Sequence, residues 1–166
     1  MLCDTGDFAG ARIALNDLKS SGSLERTLQL RSVQILRAEG NLAEALQEIE
    51  SYIKEYRVTA EALKQRGILY LDLGDAKAAI RDLTKSLEED DFDKDAHIKL
   101  AQAYLKTGQK ELATPHQERS RQLSEATSRI VEVTRRLERE PANQELNQEV
   151  EGLYKIIGRR APARQQ

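Results

Sequence analysis

Three groups of residues have types and spacings that could do chemistry. The acidic run from Glu88 to Asp95 contains Asp91-x-Asp93-x-Asp95, the spacing with which a calcium loop opens. Such a loop next needs glycine where Ala96 stands and a bidentate glutamate where Gln102 stands, and it has neither. The run reads instead as a turn whose acids sit at the N-terminus of the following helix, where the dipole favours negative charge. His97 and His116 are the only histidines and Cys3 is the single cysteine. No second ligand stands at metal-binding spacing, so no metal site is expected, and a lone cysteine leaves no intramolecular disulfide. The third group is Arg119, Arg121, Arg129, Arg135, Arg136 and Arg139, which could suggest nucleic acid. Glu118, Glu125, Glu132, Glu138 and Glu140 interleave with them and no aromatic residue is there to stack a base, so a salt-bridged, solvated helix face is the better reading. There is also no phosphate-cradling glycine loop, nucleophile elbow or zinc-protease motif. The expectation is a protein that is not an enzyme and takes no cofactor.

The elements that carry these residues are helical. Charged residues make up 33% of the 166-residue chain and aromatics only 4%, with no Trp, a composition suited to a thin helical stack in which each helix buries one stripe. Net charge is −2, with a modest excess of acid in residues 1–113 and of base, nearly all Arg, in residues 114–166, so no global field recruits nucleic acid or an anionic membrane. No apolar leader and no apolar run of membrane-spanning length is present, and the expected location is cytoplasmic.

The strongest signal is a period. Gly6, Gly40, Gly74 and Gly108 are each 34 residues apart. Five residues after each stands Ala11, Ala45, Ala79 or Ala113, one residue after stands Asp7, Asn41, Asp75 or Gln109, and four before stands Leu2, Leu36, Tyr70 or Tyr104. The glycine ends a first helix in the left-handed conformation. The polar residue after it is placed to cap the second helix, and the alanine lets the two helices approach closely. Leu15, Ile49 and Leu83, nine past the glycine, fill the space between layers.

This pattern resembles the tetratricopeptide repeat, whose signature has the form W-x2-L-G-x2-Y, then A-x3-F, then P. The third unit reads Leu63-x2-Arg66-Gly67-x2-Tyr70, then Ala79-x3-Leu83; the second reads Gln29-x2-Ser32-Val33-x2-Leu36, then Ala45-x3-Ile49; the fourth reads His97-x2-Leu100-Ala101-x2-Tyr104, then Ala113-x3-Gln117. Departures include Arg66 where leucine is usual and Val33 where a small residue belongs. The resemblance implies an all-α solenoid, with His97 in a slot that faces inward. A repeat array is assigned to residues 1–113, its first unit shortened, a long helix with a capping helix to 114–158, and a flexible tail to 159–166. After Gly108 the next matching glycine, Gly158, comes 16 residues late, and the addition predicts an enlarged second helix. That helix begins at Thr114 or Pro115, where Thr114-Pro115-His116-Gln117 reads as a capping box, or near Gln109 with a kink at Pro115; either way it continues to Arg139. Leu123, Ala126, Ile130, Val133 and Leu137 form the seam of a packed helix pair, answered by Leu146, Val150, Leu153 and Ile157 across a short Pro-Ala-Asn joint.

The resemblance also implies a function: a scaffold that binds a peptide or helix of a protein partner in a groove lined by the first helices. Carried over from the family, the groove positions are Leu30, Arg31, Gln34 and Arg37, then Lys64, Gln65, Ile68 and Leu71, then Ile98, Lys99, Gln102 and Leu105. The family's carboxylate clamp is absent, because Lys64 is followed one turn on by Ile68 and this face has no Asn. The mixture of Arg31, Arg37, Lys64 and Lys99 with apolar side chains points to an acidic, leucine-bearing ligand, and reversing Arg31, Lys64 and Lys99 together should leave melting nearly unchanged. The alternative is a self-assembly module acting through its ends or its C-terminal hairpin. In the shortened first unit Leu2, Phe8 and Leu15 are expected to be left partly uncovered, which implies either a homo-oligomer through residues 1–20 or a lost upstream segment. Neither nucleic acid nor membrane is an expected partner.

Overall fold

The computed structural model describes residues 25–56 and 58–160, and these form an all-α stack of seven helices. They are α1 (Glu25–Ala38), α2 (Leu42–Glu55), α3 (Ala60–Asp72), α4 (Ala76–Glu89), α5 (Lys94–Lys106), α6 (Lys110–Leu137) and α7 (Gln144–Ile156). The shortened first unit, the exposure expected of Leu2, Phe8 and Leu15, and all but the first two residues of the tail lie outside the described residues.

Each first helix stops for the reason the period implies. Gly40, Gly74, Gly108 and Gly158 have φ of 83°, 89°, 78° and 68°, the left-handed region that costs glycine little. The chain then folds back so that Asn41, Asp75, Gln109 and Arg159 donate their amides to the carbonyls of Leu36, Tyr70, Tyr104 and Tyr154 at 2.8–2.9 Å. The 16-residue addition therefore preserves the turn at Gly158. The caps are less uniform. Asp75 accepts from the Ala78 amide at 2.9 Å, whereas Asn41 and Gln109 make no side-chain cap bond. Asn41 donates instead to Glu39, and the longer Gln109 to Thr107.

Packing within a unit depends on close approach. Ala45, Ala79 and Ala113 are wholly buried, as are Ile49 and Leu83, while Gln117, in the corresponding slot of α6, is exposed. A Cβ built on Gly67 would stand 2.7 Å from the Leu83 Cγ, so α3 and α4 touch at a point where no side chain fits. Gly67→Ala is expected to cost about 1–3 kcal/mol, because Leu83 must leave its position in a filled core. Thermal unfolding checks this; a melting temperature unchanged from wild type would mean that the two helices are free to part.

The long helix is continuous through 120–137, as the spacing predicts, and of the two expected starts it takes the one near Gln109, beginning at Lys110 with Pro115 inside it. The capping-box start at Thr114 and Pro115 is not used, and a boundary at 114 falls inside α6. Pro115 sits in the helix with no amide to give to Glu111, and the Thr114 hydroxyl turns back to the Lys110 carbonyl at 3.1 Å. At 28 residues α6 is about 42 Å long, twice its neighbours, so its second half runs past the array and pairs with α7. Ile130, Val133, Leu146 and Val150 are the buried heart of that hairpin, with Leu137, Leu153, Tyr154 and Ile157 against them.

Candidate protein-interaction face

The first helices form a continuous layer, because α3 packs on both α1 and α5. On α1, Arg31 is exposed and gives a hydrogen bond to Gln34 at 3.2 Å, while Leu30 is half-buried against the core formed by Val33, Leu36, Ala45 and Ile49. Arg37 reaches across to Asp72 of α3 at 2.5 Å. On α3, Lys64 is held between Glu61 at 2.6 Å and Asp93 at 2.7 Å. Gln65, Ile68 and Leu71 are buried, and Gln65 donates to Glu61 at 2.7 Å. On α5, Ile98 and Lys99 are half-buried, Gln102 and Leu105 are exposed, and Lys99 lies 3.5 Å from the Gln102 oxygen.

The twelve side chains therefore do not form one open groove. Leu71 and Leu105 occupy the same register, yet Leu71 is 6% exposed and Leu105 is 45% exposed. Leu71 is covered because α5 packs beside α3 and brings Ala96, Leu100 and Ala103 against it. Past α5 the next first helix, α7, is carried away on the extension of α6 and packs there. The face is thus closed over α3 and open at α5.

Its charge is also half cancelled. Of Arg31, Arg37, Lys64 and Lys99, only Arg31 and Lys99 lack an acidic partner among the described residues. Burial pulls the Lys64 ammonium pKa down, but hydrogen bonds and charge from Asp93 and Glu61 more than offset this and leave it above its ordinary value. Burial pushes the Asp93 carboxyl pKa up, and the Lys64 bond with the Ala96 and Asp95 amides more than reverses that. Asp93 also caps α5 through the Ala96 amide at 3.0 Å, so this ion pair ties the start of α5 to α3.

Two contacts lay outside the groove reading. Arg66 pairs with Asp82 of α4 through two bonds of 2.6 and 2.9 Å, with Asp82 6% exposed. His97 is 2% exposed, and its Nδ1 lies 2.9 Å from the Nδ1 of His116. The arginine-rich face is internally paired at two positions, Arg121 with Glu118 and Glu125, and Arg129 with Glu132 and Glu149. Among the described residues no group of three or more acidic, His or Cys side chains is placed to hold a metal ion, and no helix is long and apolar enough to cross a membrane.

Comparison with known proteins gives the following. The sequence profile of the bacterial transcriptional activator domain matches residues 36–150. No curated protein matches the chain. A crystal structure of MamA superimposes with a TM-score of 0.63 at 18% identity, covering 93% of this chain and 91% of that one. A tetratricopeptide repeat protein from Parabacteroides merdae gives 0.56 at 19% identity, covering 95% and 70%. Human IFIT1, as a dimer with PPP-AAAA, gives 0.63 at 15% identity, covering 95% of this chain and 49% of that one. The tetratricopeptide-like fold is shared with all three.

Proposed function

We propose a function that starts from one premise: the chain belongs to the bacterial transcriptional activator domain family. It acts as a non-catalytic protein-interaction scaffold, and the partner docks on the first-helix face where that face is open, around α5 and the exposed Arg31 in the middle of α1. The observation that carries this reading is the contrast between Leu71 and Leu105, equivalent positions of which one is sealed and the other is not. Covering the exposed part of Leu105 would contribute about 1 kcal/mol. Ile98 lies two turns before it on the same helix face, and Lys99 and Arg31 supply positive charge with no acid yet bound to either among the described residues. An acidic peptide or helix with apolar side chains suits that surface, the apolar contacts giving affinity and the charges orientation. The family description makes a component of the transcription machinery the natural class of partner. DNA itself is the weaker reading, because Arg121 and Arg129 already spend their charge on neighbouring glutamates.

A photo-crosslinker placed at Leu105 tests this against one placed at Lys85, an exposed position on α4. The expected result is a defined cross-linked partner from the Leu105 position and none from Lys85. Cross-linking only to a second copy of the chain, with mass rising with concentration, would establish self-assembly instead.

A further inference from the structure

We propose that the His97–His116 contact latches the α6–α7 hairpin to the repeat array near neutral pH and releases it under acid. This goes beyond the docking face and does not depend on it.

The hairpin projects past the array, and at its root, where α5 and α6 pack closely, a set of polar contacts is concentrated. His97 of α5 and His116 of α6 meet through their Nδ1 atoms at 2.9 Å. His97 Nε2 lies 3.0 Å from the Asp91 carbonyl and 3.5 Å from the Asp91 carboxylate. The other oxygen of that carboxylate is 3.3 Å from Arg119 of α6. Arg119 lies over the Phe92 ring at 5.4 Å and reaches the Ile156 carbonyl of α7 at 3.4 Å. The turn at Gly158 closes on Phe92 so tightly that an added Cβ would fall 2.3 Å from the ring. The array, α6 and α7 therefore meet at one junction.

Proton counting decides how this junction responds to pH. In the neutral pair His97 gives its Nε2 proton to the Asp91 carbonyl and accepts at Nδ1 from His116. One added proton is accommodated: His97 then donates from both nitrogens, and His116 accepts at Nδ1 with its own proton on Nε2. The charged groups facing the pair are Asp91 from the α4–α5 turn and Arg119 from α6, already paired with each other, while Tyr104 of α5 stacks on His116 at 5.8 Å. A second proton leaves two N–H groups pointing at each other across 2.9 Å. His97 has almost no solvent to turn to, so the repulsion is relieved by moving half-buried His116, and with it the start of α6, away from α5. Burial, then the neighbouring His97, lowers the His116 pKa below its ordinary value, partly countered by Asp91. A base weakened in this way holds its stabilising contact above the unfolded value of about 6.5 and loses it as pH falls through the lower folded value.

The chain has two histidines, so every histidine signal in a nuclear magnetic resonance titration comes from this pair. The His116 signal, assigned by its loss in His116→Gln, is expected to titrate below the usual histidine range. Titration of His116 at or above about pH 6.5 would overturn the proposal. Spin labels at Ala142→Cys and Lys85→Cys, in a Cys3→Ser background, report the hairpin's position. The distance should lengthen and broaden between about pH 7.5 and about pH 5. In His116→Gln, which still donates to His97 and cannot take up a proton, it should stay at its neutral-pH value throughout. An unchanged wild-type distance, or a wild-type response in His116→Gln, would also refute the latch.

Discussion

Asp82→Ala is expected to destabilise the fold by about 3 kcal/mol and to lower the melting temperature by about 6–12 °C. Asp82 sits inside the α3–α4 pair and receives both hydrogen bonds that the Arg66 fork makes to it. Removing the carboxylate strands a guanidinium whose pKa is raised first by that bond and which burial alone would lower. The cost falls at the low end for a buried pair because Arg66 keeps 23% of its side chain in contact with solvent. Arg66→Leu should cost a similar amount, since it leaves the better-buried Asp82 uncompensated. The double change Arg66→Leu with Asp82→Ala should be milder than either single change, because no orphan charge remains. Single variants that melt within about 0.5 kcal/mol of wild type would show that water already screens the pair.

The second large effect concerns binding. Arg31→Glu with Lys99→Glu should weaken partner capture by about 10- to 100-fold, or about 1.4–2.8 kcal/mol, while changing melting by less than about 0.5 kcal/mol. Neither residue has an acidic partner to lose among the described residues, so the fold should tolerate both reversals. Lys64→Glu does not belong in that set. It would place a third carboxylate beside Glu61 and Asp93 and strain the cap of α5, so the expectation that all three reversals leave melting unchanged is corrected by this ion pair. The triple variant should melt clearly below the double one. Capture by the double variant at wild-type strength would remove charge from the binding account.

The difference between Arg31 and Lys64 marks where the sequence was legible and where it was not. The glycine period reports local backbone chemistry, so the four described turns could be read from single residues, including Gly158 after its 16-residue displacement. The 3-4 spacing from Leu123 to Leu137 reports one face of one helix, and the hairpin seam followed from it. Side-chain partners across helices are different, because they depend on how closely two elements approach. Arg66 looks like a departure from the family's leucine until Gly67 brings α3 onto α4 and Asp82 within reach. Lys64 looks like a free groove cation until the α4–α5 turn delivers Asp93 to it. His116 falls on the register that Asp82 holds one unit earlier, which was the available sign that it would face a side chain on the first helix of its unit. The burial of Ile68 and Leu71 was hidden for the same reason: the register is identical in every unit, and only the neighbouring helix decides which copy stays open.

The central claim is that the partner docks where the first-helix layer is open, and amide hydrogen exchange with and without the bound partner tests it most directly. Protection should increase in α5 around Gln102 and Leu105 and in α1 around Arg31, with α2 and α4 unchanged. Protection confined to α6 and α7, with α1 and α5 exchanging as in the free protein, would contradict the account and move the binding site to the hairpin.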